Sequence, residues 1–252
     1  MNKLTILNDI VVCGREGTAS VLSTPPKYAE PCAIGSAQGL ARWLNTRMIS
    51  TRLDMWGVEP GTKNVTNLWV ELAEGEITLE DSCPPKRTVN VVSVNIRNKS
   101  GQVLLESHQE IGDGSNRVRN RPLSEKMKAG ETVEEACRRG ICEELGLVLG
   151  SPDKIELLMD SYEKEVEERD SLSYPGLLTC YVVHKVDAVV ADLPESDFFT
   201  DEDEDGRMNG NHGISFSSSG IREKAISVKS HSWKWPLTAR HNEDDGSRAL
   251  RP

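Results

Sequence analysis

One stretch, Gly130 to Leu147, constrains the fold of this 252-residue chain more than any other. Its apolar residues recur at helical spacing, which predicts an amphipathic helix with one buried stripe. Thr132 is a good N-cap, and Glu135, three residues later, completes a capping box. Gly146 is a natural left-handed stop, so the helix is expected to end there.

The polar face of this helix carries charges four residues apart, with one more acid beside them. These residues are Glu131, Glu135, Arg139 and Glu143, followed by Glu144. One interpretation is a solvated face laced by weak ion pairs. The other is that adjacent carboxylates at the helix end hold a hard cation such as Mg²⁺ or Mn²⁺, which prefers oxygen ligands.

The same stretch resembles the Nudix box. That box reads Gly, five residues, Glu, seven residues, Arg-Glu, an aliphatic residue, any residue, Glu-Glu, any residue, Gly and an aliphatic residue. Seven of its nine defined positions agree in an unbroken register, namely Glu131, Arg139, Ile141, Glu143, Glu144, Gly146 and Leu147. The two departures are Glu125, where the box has Gly, and Gly140, where it has Glu.

The resemblance implies a divalent-metal-dependent hydrolase that uses Mg²⁺ or Mn²⁺. Its substrate would be a nucleoside diphosphate linked to another moiety, cleaved at the diphosphate. Glu143 and Glu144 would hold the metal, and Glu131 and Arg139 would brace the loop and helix through a charge pair. The alternative is a Nudix-fold scaffold that binds a nucleotide or protein partner without turnover.

Gly140 favours that alternative, because the Glu that the box places there is usually a metal ligand. Its absence predicts a weaker metal site or a ligand supplied from elsewhere. In the family, an acid outside the box often completes the metal site or serves as base. The candidates in this chain lie in a charged run that otherwise indicates an exposed loop, and they are Glu165, Glu167 and Glu168.

The segment 112–129, which leads into the helix, is rich in bases. It contains Arg117, Arg119, Arg121, Lys126 and Lys128. One interpretation is a solvated, mobile loop. The other is that some of these bases bind the diphosphate, Arg through bidentate bonds and Lys as a point charge. The predicted substrate-binding residues are Arg119, Arg121, Lys126 and Lys128.

An α/β fold is predicted, in the form that the resemblance implies: a Nudix-like α/β/α sandwich with a mixed β-sheet, plus an N-terminal extension. Alternating apolar residues predict strands at 88–97, 103–107, 154–160, 177–190 and 228–235. The predicted segments are an irregular leader (1–31), an extension with a short helix at 36–47 and a hairpin at 65–79 (32–86), the Nudix-like domain (87–236) with an acidic flexible insertion (187–220), and a polar tail (237–252).

The net charge of −10 argues against a general binder of nucleic-acid backbones. Nine acids and no Lys or Arg lie between Asp187 and Asp205, and the rest of the chain has 31 acids against 30 bases. The expected partner is therefore a small-molecule diphosphate, with neither nucleic acid nor membrane, and the sequence leaves the oligomeric state open.

The six cysteines show no CxxC spacing, which indicates a reducing compartment. No run of 18 apolar residues is present to predict a membrane span. An intracellular, cytoplasmic protein is expected. Met1 to Lys27 is poorer in Arg and Ser than an organellar import segment, which stays an alternative.

Overall fold

The computed structural model describes residues 27–48, 51–112, 114–201 and 228–236, except for the side chain of Leu147. Three predicted features fall wholly or mostly outside these ranges. They are the leader up to residue 26, the acidic insertion from residue 202 to 220 and the polar tail from residue 237.

Four α-helices and nine β-strands make up the regular structure of the described residues. The helices are α1 (Pro31–Ile34), α2 (Ala37–Asn45), α3 (Val65–Ala73) and α4 (Val133–Leu149). The strands are β1 (Ile77–Glu80), β2 (Lys86–Ile96), β3 (Leu105–Ile111), β4 (Asn116–Arg121), β5 (Leu123–Lys126), β6 (Ile155–Asp170), β7 (Leu178–Val190), β8 (Phe198–Asp201) and β9 (Val228–Lys234). Single 3₁₀ turns lie at Leu53–Met55 and Pro152–Lys154.

The strands form two sheets. The larger is mixed and has the order β1-β2-β7-β6, with β5 also pairing with β2. Its central pair, β2 and β7, is parallel, and its other pairs are antiparallel. The smaller sheet is antiparallel and has the order β4-β3-β9-β8.

Helices cover both faces of the mixed sheet, as the burial of β2 shows. Because successive side chains of a strand point to opposite faces, Val92, Val94 and Ile96 share one face and Val89 and Val91 share the other. The first set packs in one apolar cluster with the buried stripe of α4. The second packs with α2 and α3. The predicted α/β fold with a mixed sheet between helices is therefore confirmed.

The N-terminal extension corrects one prediction. The hairpin predicted at 65–79 is wrong, because residues 65–73 form helix α3 and only β1 is a strand. Asn64 caps α3 and exchanges hydrogen bonds with Asn67 in a capping box, and Leu68 and Leu72 are buried at helical spacing. The β-branched and aromatic content that favoured a strand is outweighed by this cap and this packing.

Helix α4 begins as predicted and ends later. Thr132 and Glu135 form the capping box. The helix does not stop at Gly146 but continues to Leu149, which is buried in the core, and Gly150 caps it with a φ of 73°. Gly146 is therefore an exposed glycine inside a helix.

Replacing Gly146 with Ala should stabilise the protein. A Cβ at this position meets no atom within 4 Å, and alanine is favoured over glycine inside a helix by about 1 kcal/mol. Chemical denaturation should show a free energy of unfolding higher by that order. Gly150→Ala is the matched control and should lower it, because its left-handed φ strains an alanine. Equal effects of the two substitutions would contradict the assigned helix end.

Two segments predicted as loops are strands. The basic segment 112–129 contains β4 and β5, which pair with β3 and β2. The charged run at 163–170 is the end of β6 and pairs with β7 over its whole length. Both stretches expose most of their side chains, so their sequences lack the buried alternation that indicates a strand, while pairing of the backbone fixes their conformation.

The remaining differences are in strand position. The strand predicted at 103–107 runs from Leu105 to Ile111 and belongs to the smaller sheet. Residues 187–201, predicted as the start of a flexible insertion, contain regular structure instead, because residues 187–190 complete β7 and Phe198–Asp201 form β8. Trp233 of β9 is buried in the core. None of the described helices is both long enough and apolar enough to cross a membrane.

Candidate metal centre and pocket

Three potential metal ligands meet where α4 approaches the smaller sheet. Glu144 comes from α4, Glu106 from β3 and His231 from β9, and one ligand atom of each lies within 4.8 Å of the others. His231 Nδ1 is 2.7 Å from Glu106 Oε1 and 2.8 Å from Glu144 Oε2. The imidazole and the Glu106 carboxylate are buried, and the Glu144 side chain is 14% exposed. The cluster is thus an enclosed site with one side reachable from solvent.

Glu106 is held as a carboxylate by its neighbours. Arg119 Nε donates a hydrogen bond to its second oxygen at 3.1 Å. Burial opposes ionisation of Glu106, but the hydrogen bond from His231 and the charge of Arg119 outweigh burial and lower the pKa of its carboxyl. Arg119, which the sequence predicts to bind substrate, orients a member of the cluster in this structure.

Arg139 braces the start of α4. Its Nε and Nη2 donate to the two oxygens of Glu131 at 2.7 and 3.0 Å, so the charge pair predicted between them is present and bidentate. Its Nη2 also donates to the Lys126 carbonyl, and its Nη1 donates to Glu143 at 2.7 Å. The Glu143 side chain is 51% exposed and does not line the pocket. Of the predicted pair of metal ligands, only Glu144 reaches the cluster.

The two departures from the box, Gly140 and Glu125, lie beside each other where α4 packs on β5. A Cβ added to the buried Gly140 would lie 3.0 Å from Glu125 Cβ. Glu125 stands on β5 and lines the same pocket as Glu144 and His231. Burial raises the pKa of Glu125 to about 7, Glu144 adds to the rise, and Lys126 and Arg139 oppose it.

The pocket beside the cluster has a volume of about 520 Å³ and is lined by many cations. They are Lys63, Arg87, Arg117, Arg119, Arg121, Lys126 and Arg169. Burial and the adjacent Arg119 lower the pKa of Arg117, and Arg117 makes no ion pair with any residue of the described ranges. These cations repel one another, and a bound phosphate group would offset their positive charge and accept hydrogen bonds from them.

The four bases predicted to bind substrate have different environments. Arg119 and the exposed Arg121 line the pocket. Lys126 also lines it, but its ammonium group lies 2.5 Å from Glu76 and 3.3 Å from Glu71. Lys128 is exposed and is not part of the lining. Its backbone N–H donates to Glu131 at 2.9 Å, so its position serves the brace.

The three glutamates outside the box that the sequence analysis proposed for the metal site lie in different environments. Glu167 lines the pocket, where Arg169 lies 3.3 Å from it. Glu165 and Glu168 are exposed and pair with Lys185 and Lys86, away from the cluster. None of the three joins the group of potential ligands, whose outside members are Glu106 and His231.

The donor set suits a divalent cation. Two carboxylates supply the oxygen ligands that Mg²⁺ and Mn²⁺ prefer. The imidazole nitrogen of His231 is a ligand that first-row transition ions accept more readily than Mg²⁺, once it has lost the proton that it donates to Glu106. The residues of the cluster therefore fit a divalent metal ion.

Sequence reasoning missed Glu106 and His231. A signal for His231 exists in the alternation of 228–235, which places it on the same face as Trp233. A polar side chain on the buried face of a strand needs a partner. For Glu106 no comparable local signal is present, because its partner depends on the pairing of β3 with β9.

One comparison with known proteins supports the resemblance to the Nudix family. The family model described as NUDIX domain matches residues 86–208. A comparison with curated proteins found no match. The matched range contains β2, β7, α4 and the box, while His231 lies beyond it. The chain therefore carries a NUDIX domain at residues 86–208, which supports its membership of the Nudix superfamily.

Proposed function

We propose that this protein is a metal-dependent hydrolase that cleaves the diphosphate of a nucleoside diphosphate linked to another moiety. The NUDIX domain supports a Nudix-type hydrolase in general. The observation that supports the finer proposal is the pocket, whose lining combines two of the three potential metal ligands, Glu144 and His231, with seven cationic side chains. A diphosphate needs both, because its oxygens are bound by cations and its hydrolysis is assisted by a metal.

In this proposal the cations hold the substrate. Arg117 and Arg121 lie in the lining, and the structure shows no ion pair that engages either of them within the described ranges. Their guanidinium groups would bind phosphate oxygens by paired hydrogen bonds. Arg119 lies between them in the chain and connects this part of the pocket to Glu106.

Glu144, Glu106 and His231 would hold the metal. When bound, Mg²⁺ or Mn²⁺ would neutralise phosphate oxygens and activate the attacking water. Water adds to one phosphorus while the bridging P–O bond breaks, which leaves two phosphate monoesters. Arg139 and Glu131 would fix the start of α4, so that Glu144 stays aligned with the strands that carry the other two ligands.

The parts of the substrate on either side of the diphosphate, the nucleoside or the group linked to it, would contact the apolar part of the pocket lining. Val89, Val91, Leu172 and Tyr181 lie there, and Leu172 is 78% exposed. An aromatic ring and aliphatic side chains offer a surface for a base or another flat group. The nucleoside part of the proposal derives from the family resemblance.

A second candidate is a scaffold that binds a nucleotide without turnover. One observation favours it: the helix position one turn before Glu144 is Gly140, which has no carboxylate to offer. A protein of this kind would keep the basic pocket and bind the diphosphate, but would not hydrolyse it.

A panel of nucleoside diphosphate derivatives separates the two candidates. The protein, freed of metal by a chelator, is given Mn²⁺ or Mg²⁺ and each compound, and nucleoside monophosphate release is followed by chromatography. We expect release only with metal, and faster with Mn²⁺, because His231 supplies a nitrogen ligand. Calorimetric binding of the same compounds without any release would support the scaffold and overturn the hydrolase.

A further inference from the structure

Gly140 and Glu125 occupy a shared space between α4 and β5. Gly140 is buried, and a Cβ there would lie 3.0 Å from Glu125 Cβ and 3.4 Å from Leu123 Cδ2. The first distance is closer than ordinary contact between side chains, so one of the two groups would have to move. At this place α4 has no side chain, because position 140 is a glycine, and the space is occupied by the side chain of Glu125 from β5.

The Glu125 carboxylate faces the pocket and not the solvent at large. Its side chain is 23% exposed and lines the pocket together with Glu144 and His231. A residue at position 140 would lie four residues before Glu144, on the same face of the helix. Glu125 thus brings a carboxylate from the strand to the patch that position 140 would otherwise serve.

The negative charge of the Glu125 carboxylate has only a weak ion pair to balance it among the described residues. Arg139 Nη1 is 3.6 Å from Glu125 Oε1, which is longer than its 2.7 Å contacts with Glu131 and Glu143. No other cation of the described ranges lies within ion-pair distance of Glu125. Lys126, the next residue, is committed to Glu76 and Glu71. A partly buried carboxylate in such surroundings is costly unless a cation approaches it.

We propose that Glu125 is a ligand of the divalent cation and supplies, from β5, the carboxylate that the box places at position 140. The two departures are then one exchange, in which the side chain moved from the helix to the adjacent strand. The inference rests on the metal site of the proposed function, but it concerns metal binding, which is measurable without any substrate.

Mn²⁺ titration of four proteins tests the exchange. They are the wild type, Glu125→Gln, Gly140→Glu, and the exchanged protein that carries both Glu125→Gly and Gly140→Glu. Binding is followed by electron paramagnetic resonance of free Mn²⁺ and by calorimetry, and folding by thermal unfolding. We expect Glu125→Gln to raise the Mn²⁺ dissociation constant by about tenfold or more, because even groups behind metal ligands contribute that much.

The exchanged protein should bind Mn²⁺ within about threefold of the wild type, because the two changes compensate each other instead of adding. Gly140→Glu alone should melt at a lower temperature, because its Cβ meets Glu125. Glu134→Gln is the matched control, since Glu134 is an exposed acid of the same helix whose partner is Arg138. It should bind Mn²⁺ as the wild type does.

Two results would overturn the proposal. One is unchanged Mn²⁺ affinity in Glu125→Gln, and the other is weak binding by an exchanged protein that is folded. If the exchanged protein does not fold, Glu125→Gln decides alone, because glutamine keeps the shape of the side chain. Mn²⁺ binding that depends on Glu125 without hydrolysis of any compound would sink the proposed reaction and leave this inference standing.

Discussion

Replacing Glu144 with glutamine is expected to lower metal-dependent turnover by about a hundredfold or more, since even the groups that hydrogen-bond to metal ligands typically contribute ten- to a hundredfold. Glu144 is the only member of the cluster on α4, and its Oε2 lies 2.8 Å from His231 Nδ1. Glutamine keeps the size of the side chain and removes its charge. The loss should therefore appear as a lower kcat and a weaker Mn²⁺ affinity, with little change in thermal unfolding.

The neighbouring acids give this prediction its controls. Glu143→Gln should lower turnover less than Glu144→Gln does, because the Glu143 side chain is half exposed and pairs with Arg139. Glu134→Gln should change turnover by less than about fivefold, since an exposed ion pair contributes at most about 1 kcal/mol. Both measurements use initial rates at saturating Mn²⁺. A Glu144→Gln protein that keeps wild-type turnover would remove the metal cluster from the reaction.

The start of α4 was predictable from sequence and its end was not, for a physical reason. The capping box of Thr132 and Glu135 is local, so four residues of sequence determine it. Gly146 and Gly150 are both stop signals at the other end. The choice between them depends on Leu149, which is 2% exposed in the core, and that contact is made with distant strands. Tertiary packing therefore decides where the helix ends.

The residues of the candidate site also fall into two groups: those that the sequence predicts and those that only the structure brings together. Glu144 and the Arg139–Glu131 brace follow from spacing along one helix. Glu106 and His231 come from strands of the smaller sheet, and their meeting depends on the pairing of β3 with β9. Glu125 and Gly140 were visible in the sequence as two departures from the box. Their closeness in space is known only from the structure, in which β5 pairs with β2 and α4 packs on β5.

Replacing Glu71 with glutamine should destabilise the protein by about 3–5 kcal/mol at neutral pH, the usual result of removing one partner from a buried ion pair. Glu71 belongs to α3 and is 5% exposed, as is its partner Arg87 on β2. Its oxygens lie 2.7 Å from Arg87 Nη2, 3.0 Å from Lys63 Nζ and 3.3 Å from Lys126 Nζ. Glutamine would leave Arg87 buried without its counter-charge. Chemical denaturation measures the loss, and Glu59→Gln, at an exposed glutamate before α3, should stay within about 0.5 kcal/mol.

The effect of Glu71→Gln should disappear in acid, and the sign follows from the pKa of Glu71. Burial raises that pKa, but Lys63, Lys126 and Arg87 outweigh burial and hold it well below its ordinary value of 4.5. A folded-state pKa below the unfolded one means that the carboxylate stabilises the protein above about pH 4.5 and stops doing so as the pH falls further. Unfolding free energies of wild type and variant should therefore converge below that pH. A difference that persists undiminished at low pH would mean that Glu71 acts by packing and not by charge, and that the ion pairs joining α3 to β2 and β5 contribute little to stability.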